Sequence, residues 1–123
     1  MLECLDFSMK RQTNTIDATD KILGRLATEI VILLRGKHRP NFIPSKDVGD
    51  FVIVKNIKKV KFTGKKIAQK KYFHHTGYLG HLKEIPLKKL FEKKPAEVLR
   101  KAVWGMLPKN RLRKEMIKRL KIE

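Results

Sequence analysis

The sequence predicts one α/β domain over residues 13–123, folded as a three-layer α/β/α sandwich around a mostly parallel, four-stranded sheet with basic loop and helix extensions. Strand-like and helical periodicities alternate in the first half of the chain, which is typical of parallel sheets with crossover helices. Of the 123 residues, 41% are hydrophobic, enough for one core. Residues 1–12 are predicted to be an irregular N-terminal extension.

The first predicted unit is strand, turn and helix. The segment TNTID at residues 13–17 is rich in β-branched side chains and predicts a short strand, followed by a turn over residues 18–21. A helix then continues until Gly36 ends it. Its apolar residues recur at helical spacing and are Ile22, Leu23, Leu26, Ile30, Leu33 and Leu34.

Three further strands are predicted in the middle of the chain. Pro40 and Pro44 make residues 37–47 a loop. The continuous apolar run FVIV at residues 51–54 predicts a central strand buried on both faces. Residues 60–63 and 70–73 predict the third and fourth strands, separated by a turn at Gly64.

The last third of the chain predicts helices. Pro86 and Pro95 each stand where the first turn of a helix accepts proline. A third helix follows Pro108, strongly cationic on its exposed side. Its apolar stripe is Leu112, Met116, Ile117 and Leu120.

Charge gives the first indication of function. Thirty Lys and Arg against twelve Asp and Glu leave a formal net charge of +18. Residues 55–94 hold thirteen lysines and two acids, and residues 109–121 hold seven basic residues and one acid. Such repulsion destabilises an isolated domain, so a polyanion such as nucleic acid is the predicted partner. A membrane surface is the alternative, but no aromatic amphipathic helix or lipidation signal is visible, and no apolar run is long enough to span a bilayer.

Two segments combine cations with residues that let the backbone bend. They are YFHHTGYLGHLK at residues 72–83 and GMLPKNRLRK at residues 105–114. Lysine and arginine bind phosphates, histidine and tyrosine stack on unpaired bases, and glycine allows close backbone approach, so these residue types suit RNA. For Tyr72 and Phe73 the competing interpretation is packing in the core, which we expect for at least one of them.

No catalytic residue, metal site, cofactor or small-molecule substrate is predicted. His74 and His75 are adjacent on a predicted strand and point to opposite faces, so they cannot chelate one ion. The glycines fit neither nucleotide-binding motif, and the single Cys4 excludes an intramolecular disulfide. Four aspartates lie at element boundaries where capping and turn roles suffice: Asp17, Asp20, Asp47 and Asp50.

The ordered segments IDATDKILGRLATEI, LLRGKHRP, GDFVIVKN, YFHHTGYLGHLKE and KKPAEVLRKAVWGMLPKNRLRKEM resemble the bacterial or organellar form of large-subunit ribosomal protein thirteen. The resemblance covers about residues 13–122. It implies an α/β/α sandwich around a four-stranded parallel sheet and no enzymatic activity. It also implies binding to large-subunit ribosomal RNA early in assembly, beside neighbouring large-subunit proteins, in the cytoplasm or an organelle. An RNA-modifying or RNA-processing enzyme is the alternative, and a DNA-binding module is a third interpretation.

The resemblance and the residue types together define the expected RNA contacts in three groups. After the first helix they are Arg35, Lys37, His38 and Arg39; in the middle they are Lys65, Lys66, Lys70, Lys71, His74, His75, Thr76, Gly77, Tyr78 and Lys83; near the C-terminus they are Lys109, Asn110, Arg111, Arg113, Lys114 and Lys118. The chain departs from the family pattern at Leu79, Gly80, His81 and Arg113. We expect loop geometry to differ there, and Met9 is a possible alternative start.

Overall fold

The computed structural model describes residues 10–123, so Cys4 and Met9 lie outside the described residues. The elements in chain order are β1 (Thr13–Asp17), α1 (Leu23–Arg35), β2 (Phe51–Lys55), a 3₁₀ turn (Ile57–Lys59), α2 (Lys66–Gln69), β3 (Lys71–His75), β4 (Leu82–Pro86), α3 (Leu87–Lys93), α4 (Pro95–Met106), α5 (Leu112–Lys118) and β5 (Leu120–Ile122).

The main sheet is parallel, with strand order β1-β2-β5. β2 is central, and its Val52 pairs with Asn14 on one side and Leu120 on the other. The α/β class, the first two strands and the central position of the FVIV run are therefore confirmed. The helix predicted up to Gly36 is confirmed as well: α1 ends there, with Gly36 in the left-handed conformation at φ 79°.

The predicted four-stranded sheet is wrong, because the sheet has three strands. Residues 60–63 contribute only an isolated parallel bridge between Lys61 and Ile22, as Phe62 turns away to pack edge-to-face on Phe91 at 5.2 Å. The predicted fourth strand exists as β3, but it pairs antiparallel with β4 in a separate hairpin. The third strand of the sheet is the unpredicted β5, which begins at Leu120, a residue assigned from its spacing to the last helix.

The helices pack on one face of the sheet. The two connections from β1 to β2 and from β2 to β5 move in the same direction across the sheet, so right-handed crossovers place their helices on the same side. Val52, Val54 and Leu120 are buried on that face, whereas Phe51 on the opposite face is 39% exposed.

The loop between α1 and β2 is fixed to the C-terminal strand by a buried ion pair. Arg119, only 4% exposed, donates hydrogen bonds to Asp47 Oδ1 at 2.7 Å and to the Leu34 carbonyl at 2.8 Å. Gly49 lies directly beside this guanidinium. The end of α1, the loop and the start of β5 are thereby joined at one point.

A second ion-pair cluster closes the same loop around Asp50, which is fully buried. Its carboxylate lies 2.8 Å from His38 Nε2, accepts a hydrogen bond from an Arg39 guanidinium nitrogen, and accepts another from the Gln12 N–H at 3.0 Å. Burial raises the pKa of the Asp50 carboxyl, but the Gln12 N–H, Arg39 and His38 outweigh burial and hold this pKa below its usual value. Asp50 therefore does more than end a turn.

Asp17 fills the predicted turn role. Its Oδ1 accepts hydrogen bonds from the N–H and hydroxyl of Thr19 at 3.0 and 2.7 Å, and from Asn56 Nδ2 at 3.1 Å. These hydrogen bonds, from Thr19 first, lower the pKa of Asp17 to about 2.

Replacing Gly49 with alanine is expected to destabilise the fold strongly. The added Cβ would lie 1.6 Å from the Leu34 carbonyl oxygen and 2.7 Å from Arg119 Nη2. We expect Gly49→Ala to lower the free energy of unfolding by about 3 kcal/mol in denaturant titrations. Gly24→Ala is the control, because no atom lies within 4 Å of its added Cβ. Equal stability of the two variants would contradict this account.

Asp50 is expected to make stability depend on acid pH. Since its pKa in the folded state is lowered, the ionised carboxylate stabilises the fold above the unfolded-state pKa of about 4, and this contribution is lost as pH falls through the folded-state pKa. Asp50→Asn should cost about 3 kcal/mol at pH 7, because it removes the buried negative charge that faces His38 and Arg39. The difference between the two proteins should narrow below about pH 4. A difference independent of pH would contradict the assignment.

Candidate nucleic-acid interface

The first cationic element is the largely exposed hairpin of β3 and β4, here called the hairpin arm (residues 71–86). Its loop closes through the Thr76 N–H, which donates to the His81 carbonyl, and through the Gly77 N–H, which donates to His75 Nδ1 at 2.9 Å. Gly77 and Gly80 have φ of 92° and 74°, which explains why glycine stands at both positions. The loop therefore holds Tyr78 outward, 74% exposed.

The strand register divides the side chains of the arm between two faces. His74 pairs with Lys83, and Tyr72 pairs with Ile85 on the same face. His75 lies on the opposite face, as predicted from its adjacency to His74. Each face of the arm therefore carries one imidazole, and Lys83 stands opposite His74.

Tyr72 and Phe73 have different roles. Tyr72 packs against the core, and its burial raises the pKa of the phenol. Lys70 and Lys101 lie over its ring, at 5.5 and 4.8 Å from the centroid. Phe73 is 62% exposed. The expectation that at least one of the two rings packs in the core is confirmed by Tyr72.

The second cationic element is the C-terminal basic segment (residues 109–118). Asn110 Oδ1 accepts a hydrogen bond from the Arg113 N–H at 3.2 Å and so starts α5. The Arg113 guanidinium lies 4.0 Å above the Trp104 ring centroid and donates a hydrogen bond to the Trp104 carbonyl. Arg113, one of the departures from the family pattern, thus fixes the segment to α4.

The other cations of this segment point outward. Lys109, Arg111 and Lys114 are exposed. Lys118 lies 3.3 Å from Glu115 in a surface ion pair. These exposed side chains are available to an anionic partner.

Both basic elements contact the C-terminal half of α4: Lys101 lies over the Tyr72 ring of the hairpin arm, and Arg113 of the C-terminal basic segment lies over the Trp104 ring. Lys66 and Lys70, at the base of the hairpin arm, line a pocket with Gly105 and Met106. The neighbouring residue Trp104 lines a second depression together with Lys109, Arg111 and Lys114 of the C-terminal basic segment. The two segments singled out in the sequence, residues 72–83 and 105–114, therefore each contact the last two turns of α4.

The first predicted group lies elsewhere. Arg35 is at the C-terminal end of α1, and twelve residue steps of helix separate it from Leu23 at the pocket, about 18 Å. Of its members, His38 and Arg39 contact Asp50, and Arg35 lies over the Phe42 ring at 5.5 Å from the centroid. Lys37 is exposed.

Sequence reasoning missed two residues at the α4 end. Lys101 lines the same pocket as Lys70, and the Trp104 ring lies under the Arg113 guanidinium. The helical period around Val98, Leu99 and Val103 contains the signal, since it leaves Lys101 and Trp104 on the sides of the helix not buried in the core.

Other site classes are not visible in the described part of the chain. In residues 10–123 no helix is long and apolar enough to cross a membrane. The same residues contain no group of three or more His, Cys, Asp or Glu side chains placed to hold a metal ion.

Comparison with known proteins gives a consistent result. Residues 11–122 match the family described as ribosomal protein L13. The large ribosomal subunit protein uL13 of Nitratidesulfovibrio vulgaris strain Hildenborough is 56% identical over 115 residues, 94% of this chain and 80% of that protein. Its counterpart in Lawsonia intracellularis is 59% identical over 107 residues, 87% and 74% of the two chains. That of Clostridioides difficile is 54% identical over 114 residues, 93% and 80%.

The fold, the cationic surface and these matches define the class of the molecule, a ribosomal protein. The chain belongs to the ribosomal protein L13 family, and the resemblance found in its sequence is confirmed.

Proposed function

We propose that this chain is a structural constituent of the large ribosomal subunit that binds large-subunit ribosomal RNA. The observation that carries the proposal is that both basic elements contact α4, the hairpin arm through Tyr72 at Lys101 and the C-terminal basic segment through Arg113 at Trp104. Its family and its relatives, named large ribosomal subunit proteins, supply the ribosomal context. In this proposal the protein acts in the cytoplasm, or in an organelle, beside other large-subunit proteins.

Binding is driven by the release of counterions from RNA phosphates. With a net charge of +18, the chain attracts a polyanion strongly, and each lysine or arginine that meets a phosphate releases a condensed cation. In the arm, Tyr78 and His74 add surfaces on which unpaired bases stack. This combination favours folded RNA with exposed loops over a uniform duplex.

The fold holds the contact groups at set separations. The Leu87 N–H donates to the Lys70 carbonyl at 2.8 Å and fixes the base of the arm, while Arg113 fixes the other segment on Trp104. Lys37 supplies a third point near the far end of α1. A protein built this way joins RNA segments that are distant in sequence, which suits a role early in subunit assembly.

A structural role fits the described side chains better than an RNA-modifying or RNA-processing enzyme. Such an enzyme needs an acid, a base or a nucleophile facing the RNA. The two carboxyls with lowered pKa values, Asp17 and Asp50, are both engaged within the fold. The two exposed acids of the proposed interface, Glu84 and Glu115, each form an ion pair with a neighbouring lysine.

Charge reversal in the C-terminal basic segment should remove the protein from assembled subunits. Replacing Lys109, Arg111 and Lys114 with Glu changes three exposed cations without touching Arg113, so the fold should be retained. We expect retention on large subunits after a high-salt wash to fall roughly tenfold or more in sedimentation assays.

The matched control is the same reversal at Lys88, Lys89 and Lys93 of α3, which are also exposed. Circular dichroism checks the fold of both variants. Equal depletion by the two triple variants would show that total charge alone matters, and unchanged retention of the first would refute the proposed interface.

The salt dependence of RNA binding should report individual phosphate contacts. For the wild-type protein and large-subunit ribosomal RNA, the logarithm of affinity should fall linearly with the logarithm of salt concentration. Neutralising one contacting side chain, as in Lys109→Gln, should reduce that slope by about one. Lys88→Gln should leave the slope unchanged, and a reversal of this order would contradict the assignment.

A further inference from the structure

The pocket at the end of α4 combines an apolar floor with a cationic rim. Its volume is about 420 Å³, within the range of small-molecule sites. The floor is formed by Phe62, Leu87, Ala102 and Met106, and the rim by Lys61, Lys66, Lys70 and Lys101. The pocket therefore suits a ligand that is apolar at one end and anionic at the other.

Two helical glycines open this pocket. Gly24 of α1 and Gly105 of α4 both line it, and neither has a positive φ. A Cβ added at either position would meet no atom within 4 Å, so neither backbone conformation nor helix packing requires glycine. Glycine destabilises a helix relative to alanine, and at these two positions it leaves the backbone open to close approach by a ligand.

The entrance of the pocket favours an anion. Ile22, Leu23 and Gly24 at its wall are the start of α1, whose first turn has no side-chain cap and no acidic residue. The amide groups and dipole of such a helix start attract negative charge.

The rim lysines differ in how far they are already neutralised. Lys61 lies 2.8 Å from Asp20, and Lys101 lies 3.5 Å from Glu97. Lys66 and Lys70 have no carboxylate partner among residues 10–123, so they remain available to a phosphate.

We propose that this pocket receives the flipped-out base of an unpaired RNA nucleotide, whose phosphate lies at the start of α1 beside Lys66 and Lys70. The inference rests on the proposed RNA-binding function and adds a specific recognition mode to it. A nucleotide carries a flat apolar face and a phosphate one sugar apart, which matches the floor and the rim. Unpaired bases are the parts of RNA that proteins hold by stacking.

Methionine methyl resonances provide a local test in the intact protein. Met106 lines the pocket and is 45% exposed, whereas Met116 is 3% exposed in the core and serves as internal reference. The probes are hexauridylate and an abasic ribose-phosphate hexamer of the same charge. We expect hexauridylate to shift the Met106 resonance with roughly tenfold higher apparent affinity than the abasic hexamer. Equal affinities at Met106 would overturn the proposal.

A pocket-filling variant gives the second readout. Gly105→Leu projects a side chain into the pocket without a clash at Cβ and should reduce hexauridylate affinity at Met106 to that of the abasic hexamer. Lys88→Gln, at a residue outside the pocket, should leave the hexauridylate affinity unchanged. Should an acidic hexapeptide containing phenylalanine shift Met106 when hexauridylate does not, the occupant is a protein segment and the proposal fails. If large-subunit ribosomal RNA still binds with the expected salt dependence, the proposed function survives that failure.

Discussion

The remaining architecture depends on the hydrogen bonds that the buried Arg119 guanidinium donates. It connects the Leu34 carbonyl at the end of α1, the Asp47 carboxylate in the following loop and the first residues of β5. A charge at this depth is tolerated because it is paired, and removing its partner leaves an uncompensated ion. Because Arg119 directly follows α5, the same contact fixes the direction in which the C-terminal basic segment leaves the core.

The cations of this protein form two groups, one paired with aspartates within the fold and the other exposed on the surface. Arg39, His38 and Arg119 are matched by Asp50 and Asp47 within the fold, and these pairs determine its shape. Three lysines of the hairpin arm and the pocket rim, Lys61, Lys71 and Lys101, have a carboxylate partner at the surface. Lys66 and Lys70 have none among residues 10–123, so an external anion relieves their repulsion. Asp17, Asp47 and Asp50 are engaged within the fold, and the remaining acids are too few to neutralise the thirty Lys and Arg.

The hydrophobic periodicity of the sequence predicted the elements whose pattern lies within one continuous segment. α1 and β2 were predictable because their apolar residues repeat with one clear period up to Gly36 or Lys55. β5 was not, because Leu120 lies four residues after Met116 and extends the helical stripe. Residue type identified the cations, but it could not show that Lys109 is exposed whereas Arg39 is paired with Asp50 within the fold. Only the tertiary fold brings Asp50 to Arg39 and Trp104 to Arg113, and neither pairing has a sequence signal.

The hairpin arm makes local stability differ between parts of the molecule. It has only two strands, and an isolated two-stranded hairpin is marginally stable in water. Its opening is therefore a local event with its own small free energy, separate from unfolding of the three-stranded sheet. Amide hydrogens of the arm should exchange in a different cooperative unit from those of β2, and a partner that grips the arm will slow their exchange first. On warming, the arm should therefore open and release that partner at a lower temperature than the one at which the core unfolds.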